Sequence, residues 1–246
     1  MHRFFIGDSG IEGRTVALGR GEATHMRALR IRGGETFTVC DGAGRDYICR
    51  LTQLGSDGAR AEILEERASS SEPSVRVIVY LALSKGERLE YAVQKCVELG
   101  AAEFFVFPSA RTVASPGDRA LANRLARLSA ISKGAAEQSG RGTIPAVSPL
   151  ASFGEAIASA SKAQLPLFFY EGESAPNLRG ILEASPAHGT VSVITGPEGG
   201  FEPGEAESAE RAGCLPAGLG PRILRCDTAP VAALACIMLR YGALDR

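Results

Sequence analysis

The stretch Val75-Arg76-Val77-Ile78-Val79-Tyr80-Leu81-Ala82-Leu83, followed by Glu87 to Leu99 and stopped at Gly100, decides how the rest of the chain is read. Its first part is apolar except for Arg76, the pattern of a strand buried on both faces of a parallel sheet. Its second part sets Leu89, Ala92, Val93, Cys96 and Val97 on one helical face, and Gly100 suits a helix stop. Glu103 to Phe107 then reads as another strand. Outward from there the alternation continues. A long helix is predicted from about Asp118 to Gln138, with Leu121, Leu125, Leu128 and Ile131 in register. Strands are predicted at Leu165 to Tyr170, Val191 to Ile194 and Cys214 to Leu219, and helices at Phe153 to Ala160, Pro203 to Ala212 and Thr228 to Tyr241. Strand–helix alternation implies an α/β domain with a mainly parallel sheet.

The first seventy residues read differently. Phe37 to Cys40, Tyr47 to Leu51 and Ala59 to Leu64 are short apolar or alternating runs. They are separated by the turn-rich Asp41-Gly42-Ala43-Gly44 and Gly55-Ser56-Asp57-Gly58. A short helix from about Ala23 to Arg30 precedes Gly33-Gly34, which would suit its stop. Ala68-Ser69-Ser70-Ser71-Glu72-Pro73-Ser74 has the composition of a linker. The expected organisation is a small β-rich domain over 1–70 and an α/β domain over 74–246.

Composition sets limits on the chemistry. The chain has 246 residues, 45% hydrophobic and 22% charged, the profile of a soluble globular protein with a sizeable core. No apolar run approaches the roughly 20 residues of a membrane span, and Met1-His2-Arg3-Phe4-Phe5 lacks the features of a secretion signal. Six cysteines form no CxxC pair and only three histidines are present, so no metal site is expected. Reduced, mostly buried thiols in a cytoplasmic protein are expected instead. The net charge of −1 leaves nucleic-acid binding to local arginine clusters.

Two loops stand where open α/β sheets place their ligands, beyond the carboxyl ends of strands. Thr195-Gly196-Pro197-Glu198-Gly199-Gly200 follows the strand Val191 to Ile194 and would let a ligand approach the main chain closely. It lacks the GK[ST] ending of a P-loop and does not match GxGxxG. Taken alone it fits a plain strand-to-helix turn as well as a ligand cradle, with Pro203 in the first turn of the next helix. The second loop is Leu219-Gly220-Pro221-Arg222-Ile223-Leu224-Arg225-Cys226-Asp227-Thr228-Ala229. Asp227 or Thr228 can cap the final helix and Pro230 suits its first turn. The flanking arginines are hard to explain by packing, although solvated loop arginines are common. Glu137, Gln138 and Arg141, at the end of the long helix, either line a pocket or are an ordinary polar helix end. His25, Arg27, Arg30 and Arg32 form either a phosphate-contacting patch or a solvated face.

Taken in order, these segments resemble the bacterial 16S ribosomal RNA (uracil-N3)-methyltransferase family of the SPOUT superfamily. The resemblance runs from Arg3-Phe4-Phe5 through His25 to Arg30, Lys85-Gly86, Gln94-Lys95 and Glu98-Leu99-Gly100. It continues through Ala136-Glu137-Gln138-Ser139-Gly140-Arg141 and Thr195 to Gly200, and ends at Leu219 to Ala229. Cys226-Asp227 stands where Thr-Glu is frequent in that family.

The resemblance implies an N-terminal PUA-like β-barrel that binds RNA and a C-terminal α/β domain with a deep trefoil knot. It implies a homodimer that binds S-adenosyl-L-methionine and methylates N3 of a uridine in 16S rRNA of the small ribosomal subunit. By carry-over, Ile194, Thr195, Gly196, Pro197, Glu198, Gly199 and Gly200 would hold the cofactor from one side. Leu219, Gly220, Arg222, Ile223, Leu224, Thr228 and Ala229 would hold it from the other. Arg225 or Arg111 would stabilise the uracil anion, with Glu198 or Glu137 taking the proton. Arg3, His25, Arg27, Arg30, Arg32 and Arg141 are the expected RNA contacts. A SPOUT methyltransferase with another rRNA or tRNA target is the nearest alternative. A non-catalytic RNA-binding dimer is the alternative from another class.

Overall fold

The computed structural model describes residues 2–6, 10–112, 117–170, 176–186 and 189–245, and it divides into two compact units. The first comprises Met1–Glu72 together with Ala136–Ile144, and the second comprises Pro73–Ala135 with Pro145–Arg246.

The first unit is built on strands β1 (Arg3–Phe5), β2 (Ile11–Glu12), β3 (Thr15–Leu18), β4 (Thr36–Cys40), β5 (Arg45–Leu54) and β6 (Ala59–Ala68), with helix α1 (Arg20–Ala28). They form one sheet in the order β1-β4-β5-β6-β3-β2, in which only the β1–β4 pair is parallel. The β4–β5 hairpin turns on Asp41, whose carboxylate accepts the N–H groups of Ala43 (2.7 Å) and Arg45 (3.0 Å). Register shifts between β5 and β6 at Ile48/Cys49 and Leu51/Gln53 bend the sheet around its core. Phe4, Met26, Phe37 and Leu51 lie at the centre of that core.

Helix α1 begins three residues before the expected Ala23 and does not stop at Gly33-Gly34. Arg30 takes the left-handed conformation (φ 58°), with Ile31 N–H donating to the Met26 carbonyl and Arg30 N–H to that of Arg27. This is a Schellman ending, and the buried Met26 and Ile31 supply its hydrophobic contact. The expected linker is also more than a spacer. Glu72 accepts hydrogen bonds from the Arg141 guanidinium (2.5 Å at Nη2), the Gly142 N–H (2.9 Å) and the Thr143 hydroxyl (2.9 Å). Segment 136–144 is held in this unit by those bonds.

The second unit contains β7 (Arg76–Ala82), α2 (Arg88–Glu98), β8 (Glu103–Phe107), β9 (Ala146–Pro149), α4 (Phe153–Ala160) and β10 (Leu165–Phe169). It continues with α5 (Leu178–Ala184), β11 (Thr190–Thr195), α6 (Pro203–Arg211), β12 (Leu215–Ala217) and α7 (Thr228–Arg240). Helix α3 (Asp118–Ser139) starts in this unit, and its last turn counts with the other. The six strands form a wholly parallel sheet in the order β12-β10-β11-β7-β8-β9. Both faces of β10 and β11 are buried, as the unbroken apolar runs require. Helices α4 and α6 pack with Tyr80, Phe107, Phe168 and Ile194, and α7 packs against β7 and β11.

From β7 the chain runs outward to β8 and β9 on one side, whereas β10, β11 and β12 lie on the other. The order therefore reverses between β7 and β11, and the carboxyl ends of those strands are where such sheets place a ligand. The sequence reading missed β1, β2, β3, β9 and α5. Of the expected α3 stripe only Leu128 is fully buried, while Leu121, Leu125 and Ile131 are half-buried.

Candidate active site

Of the two loops singled out by sequence, the first opens at that reversal point, on β11, and the second leaves the edge strand β12. Strand β11 ends at Thr195, whose hydroxyl is buried without a hydrogen-bond partner among the described residues. At Gly196 a Cβ would sit 3.1 Å from the Phe201 ring, so a side chain there would require that ring to shift by a few tenths of an ångström. Gly200 closes the turn at φ 68°, its N–H donating to the Pro197 carbonyl (3.0 Å).

Charged side chains pin the loop. The Glu198 carboxylate accepts the Lys85 N–H (2.7 Å) and the Arg88 guanidinium (2.5 Å). Burial pushes the Glu198 carboxyl up, but backbone N–H groups and Arg88 outweigh it and hold it below the usual carboxylate range. Arg111 donates to the Gly199 carbonyl (2.9 Å) and lies 3.9 Å from Glu202. Glu205, in the first turn of α6, accepts from the N–H groups of Glu202 and Ala110, both at 2.9 Å. Pro203 opens α6 as expected.

The second loop leaves β12 at Ala217 and is anchored at both ends. Gly218 N–H donates to the Pro176 carbonyl (2.8 Å), and the N–H groups of Thr228 and Ala229 both donate to the Arg225 carbonyl (2.9 Å). Asp227 occupies the N-cap position of α7 without making a side-chain cap, and its carboxylate instead accepts from the Thr228 hydroxyl (3.1 Å).

Between the loops lies a cavity of about 1120 Å³. Thr195, Gly196, Pro197, Glu198, Gly199 and Gly200 line one side, and Leu219, Gly220, Arg222, Ile223, Leu224, Arg225 and Ala229 the other. Arg111 also reaches it. Three expected residues lie elsewhere. Ile194 is fully buried in the core beside Phe168 and Phe201. Thr228 is exposed at the start of α7 and does not line the cavity. Glu137 belongs to the first unit, its carboxylate 3.9 Å from His25 Nδ1. Arg88, Phe169, Tyr170, Asn177 and Phe201 line the cavity and were missed, because nothing local in their sequence marks them. Arg88 had the nearest signal, sitting two residues after Lys85-Gly86.

Among the expected RNA contacts, the His25 side chain is half exposed and meets Phe4 edge-on, while Arg27, Arg30 and Arg32 are exposed. Arg3 and Arg141 are engaged with carboxylates of the first unit. Arg3 donates to both carboxylate oxygens of Asp46 (2.7 and 2.8 Å) and to Cys40 Sγ, and Arg141 is buried against Glu72. Both guanidiniums hold the first unit together. Among the described residues no group of His, Cys, Asp and Glu could hold a metal ion, and no helix is long and apolar enough to cross a membrane.

Residues 71–238 match the family model of an RNA methyltransferase domain, and residues 18–64 match that of an RNA methyltransferase PUA domain. The chain is 31% identical to the ribosomal RNA small subunit methyltransferase E of Bacillus subtilis, over 88% of its own length and 87% of the relative's. It is 33% identical to the enzyme of that name from Synechocystis, over 96% and 77%. This chain belongs to the ribosomal RNA small subunit methyltransferase E family. A solved member, from Neisseria gonorrhoeae and bound to S-adenosyl methionine, superposes with a TM-score of 0.86 at 34% identity, covering 97% of each chain. The fold of methyltransferase E thus extends over both units.

Proposed function

We propose that this chain transfers a methyl group from S-adenosylmethionine to N3 of a uridine in the 16S rRNA of the small ribosomal subunit. The observation that carries the reading is the buried, unpartnered Thr195 hydroxyl at the wall of a cavity formed by both glycine-rich loops. A buried hydroxyl left unpaired is costly, and a polar ligand beside it removes the cost. The other lining groups fit the same cofactor. Leu219, Leu224 and Phe201 offer apolar contact to an adenine, and the loops present backbone groups for its edges. At about 1120 Å³ the cavity exceeds the upper end of ordinary small-ligand pockets, roughly 1,000 Å³, and leaves room for a base beside the cofactor.

The cofactor supplies a methyl group already activated on a sulfonium. The chain must align uridine N3 with it and stabilise the anion that N3 becomes on losing its proton. Arg225 and Arg111 are the guanidiniums at the cavity for that charge. Glu198 is assigned to holding the loop. A carboxylate kept below the usual range by Arg88 and two N–H groups is a weak base. With the anion stabilised, water at the cavity mouth takes the proton.

The PUA-like RNA-binding module is assigned to 1–70 and the catalytic module to 74–246, of which segment 136–144 packs in the first unit. The family resemblance further implies a trefoil-knotted path in the second, a homodimer and a cytoplasmic location. The outer face of α7, where Cys236 is exposed and Leu239 is 64% exposed, supports the dimer. The test is tritium transfer from labelled S-adenosylmethionine to small ribosomal subunits from a strain lacking the gene, followed by nucleoside analysis. Label in 3-methyluridine is the expected result. Label in another nucleoside, or cofactor binding without transfer, overturns the assignment.

A further inference from the structure

Ile223 is 79% exposed, more than any other large apolar side chain among the described residues. It stands on the rim of the cofactor cavity, on a loop whose two ends are fixed by backbone hydrogen bonds from Gly218, Thr228 and Ala229. Its neighbour Leu224 is half-buried, so the loop turns one aliphatic side chain inward and sends the next into solvent. Exposure of this degree contributes nothing to the packing of this unit, and it leaves most of the Ile223 side chain open to a molecule that reaches the cavity from solvent. The residues on either side of this pair, Arg222 and Arg225, are both exposed. Among the described residues neither guanidinium makes a hydrogen bond or an ion pair. Arg88 and Arg111, also at the cavity, are by contrast engaged with Glu198 and Gly199.

An exposed aliphatic side chain on a loop that also carries two exposed arginines, at a cavity large enough for a base, matches the requirements of base extrusion. A base buried in an RNA stack must leave it before its N3 can meet a methyl group, and apolar wedges hold such stacks open. A guanidinium beside the wedge holds a flanking phosphate and fixes its depth. We propose that Ile223 is the wedge that occupies the stack position vacated by the target uridine, with Arg222 on a flanking phosphate and Arg225 facing the extruded base. The inference rests on the RNA methyltransferase reading above and specifies how its substrate is presented. It also moves Ile223 from the cofactor set to the RNA-facing set.

The experiment compares full-length wild type, Ile223→Ala and Ile223→Leu in tritium transfer to small subunits lacking the modification. Cofactor affinity is measured by calorimetry and self-association by sedimentation. Ile223→Ala is expected to lower kcat/KM for the subunits at least tenfold. Its S-adenosylmethionine affinity should stay within twofold of wild type and its sedimentation unchanged. Ile223→Leu, which keeps the aliphatic bulk, is expected to recover to within threefold. Unchanged kcat/KM in Ile223→Ala overturns the wedge while leaving the methyltransferase reading intact. A parallel loss of cofactor affinity overturns it in favour of a cofactor contact, and altered sedimentation overturns it in favour of contact with a second copy of the chain. If wild type binds the cofactor yet labels no subunit, the substrate reading fails and the wedge fails with it.

Discussion

Thr195 ends β11 with a hydroxyl that is shielded from water and finds no partner among the described residues. An unpaired buried hydroxyl costs about 1–3 kcal/mol, and such a group at a cavity wall has its partner in the ligand. Thr195→Val keeps the shape and removes the oxygen. The ligand-free protein is expected to unfold at the same temperature or higher, and S-adenosylmethionine affinity is expected to fall about tenfold, or roughly 1.4 kcal/mol. Calorimetric titration beside a thermal melt checks both, and undiminished affinity would mean that the hydroxyl meets no cofactor atom. At this scale Thr195, Gly196 and Gly200 were legible because a strand end, a turn and a close backbone approach each demand particular residue types. Tyr170 and Asn177 were not, since their part depends on which loop they face.

The start of α6 shows how one element serves another. Glu205 accepts the N–H groups of both Glu202 and Ala110, so a single carboxylate caps the helix and ties it to the segment after β8. Glu205→Ala removes both bonds, and the expected loss is about 1–3 kcal/mol of stability in denaturant titration. Weaker cofactor binding is also expected, because Arg111 holds the Gly199 carbonyl from the same segment. A variant as stable as wild type would show that neither bond contributes. Long elements were readable from period alone, and β8 and α4 match their expected bounds. Strands β2 and β3 span two and four residues, too few for an alternation to register. Their pairing is set by partners, such as Ile11 opposite Val16 and Val16 opposite Ala61.

At the scale of the whole molecule, the first unit is assembled from two separate stretches of chain, joined by the Arg141–Glu72 ion pair, while Arg3–Asp46 pairs within the first stretch. Burial pushes the carboxyls of Glu72 and Asp46 up, but Arg141, Thr143 and Gly142 outweigh it at Glu72, and Arg3 and Cys40 do so at Asp46. Both are held below their ordinary values. Their stabilisation is therefore complete above the unfolded values of about 4 and is lost as pH falls through the lower folded-state values. Thermal melts should accordingly drop steeply below about pH 4. Arg141→Met leaves Glu72 without its cation, and it is expected to cost about 3–5 kcal/mol at pH 7 and to flatten the acid limb. An acid limb identical to wild type would mean that Glu72 takes no part in it.

Periodicity and turn chemistry settled which segments become strands and helices, the α/β character of residues beyond 74, and the two loops at its ligand end. Those are local matters of side-chain alternation, glycine conformation and strand length. Three further features depend on residues far apart in the chain: the gathering of Arg88 and Glu198, the pairing of Arg3 with Asp46 and of Arg141 with Glu72, and the joining of 136–144 to the first unit. An arginine on a polar stretch reads the same whether it will face solvent or a carboxylate nearly seventy positions away. Only the folded chain, which brings Arg141 to Glu72 and leaves Arg222 and Arg225 exposed, distinguishes a structural guanidinium from one at the surface.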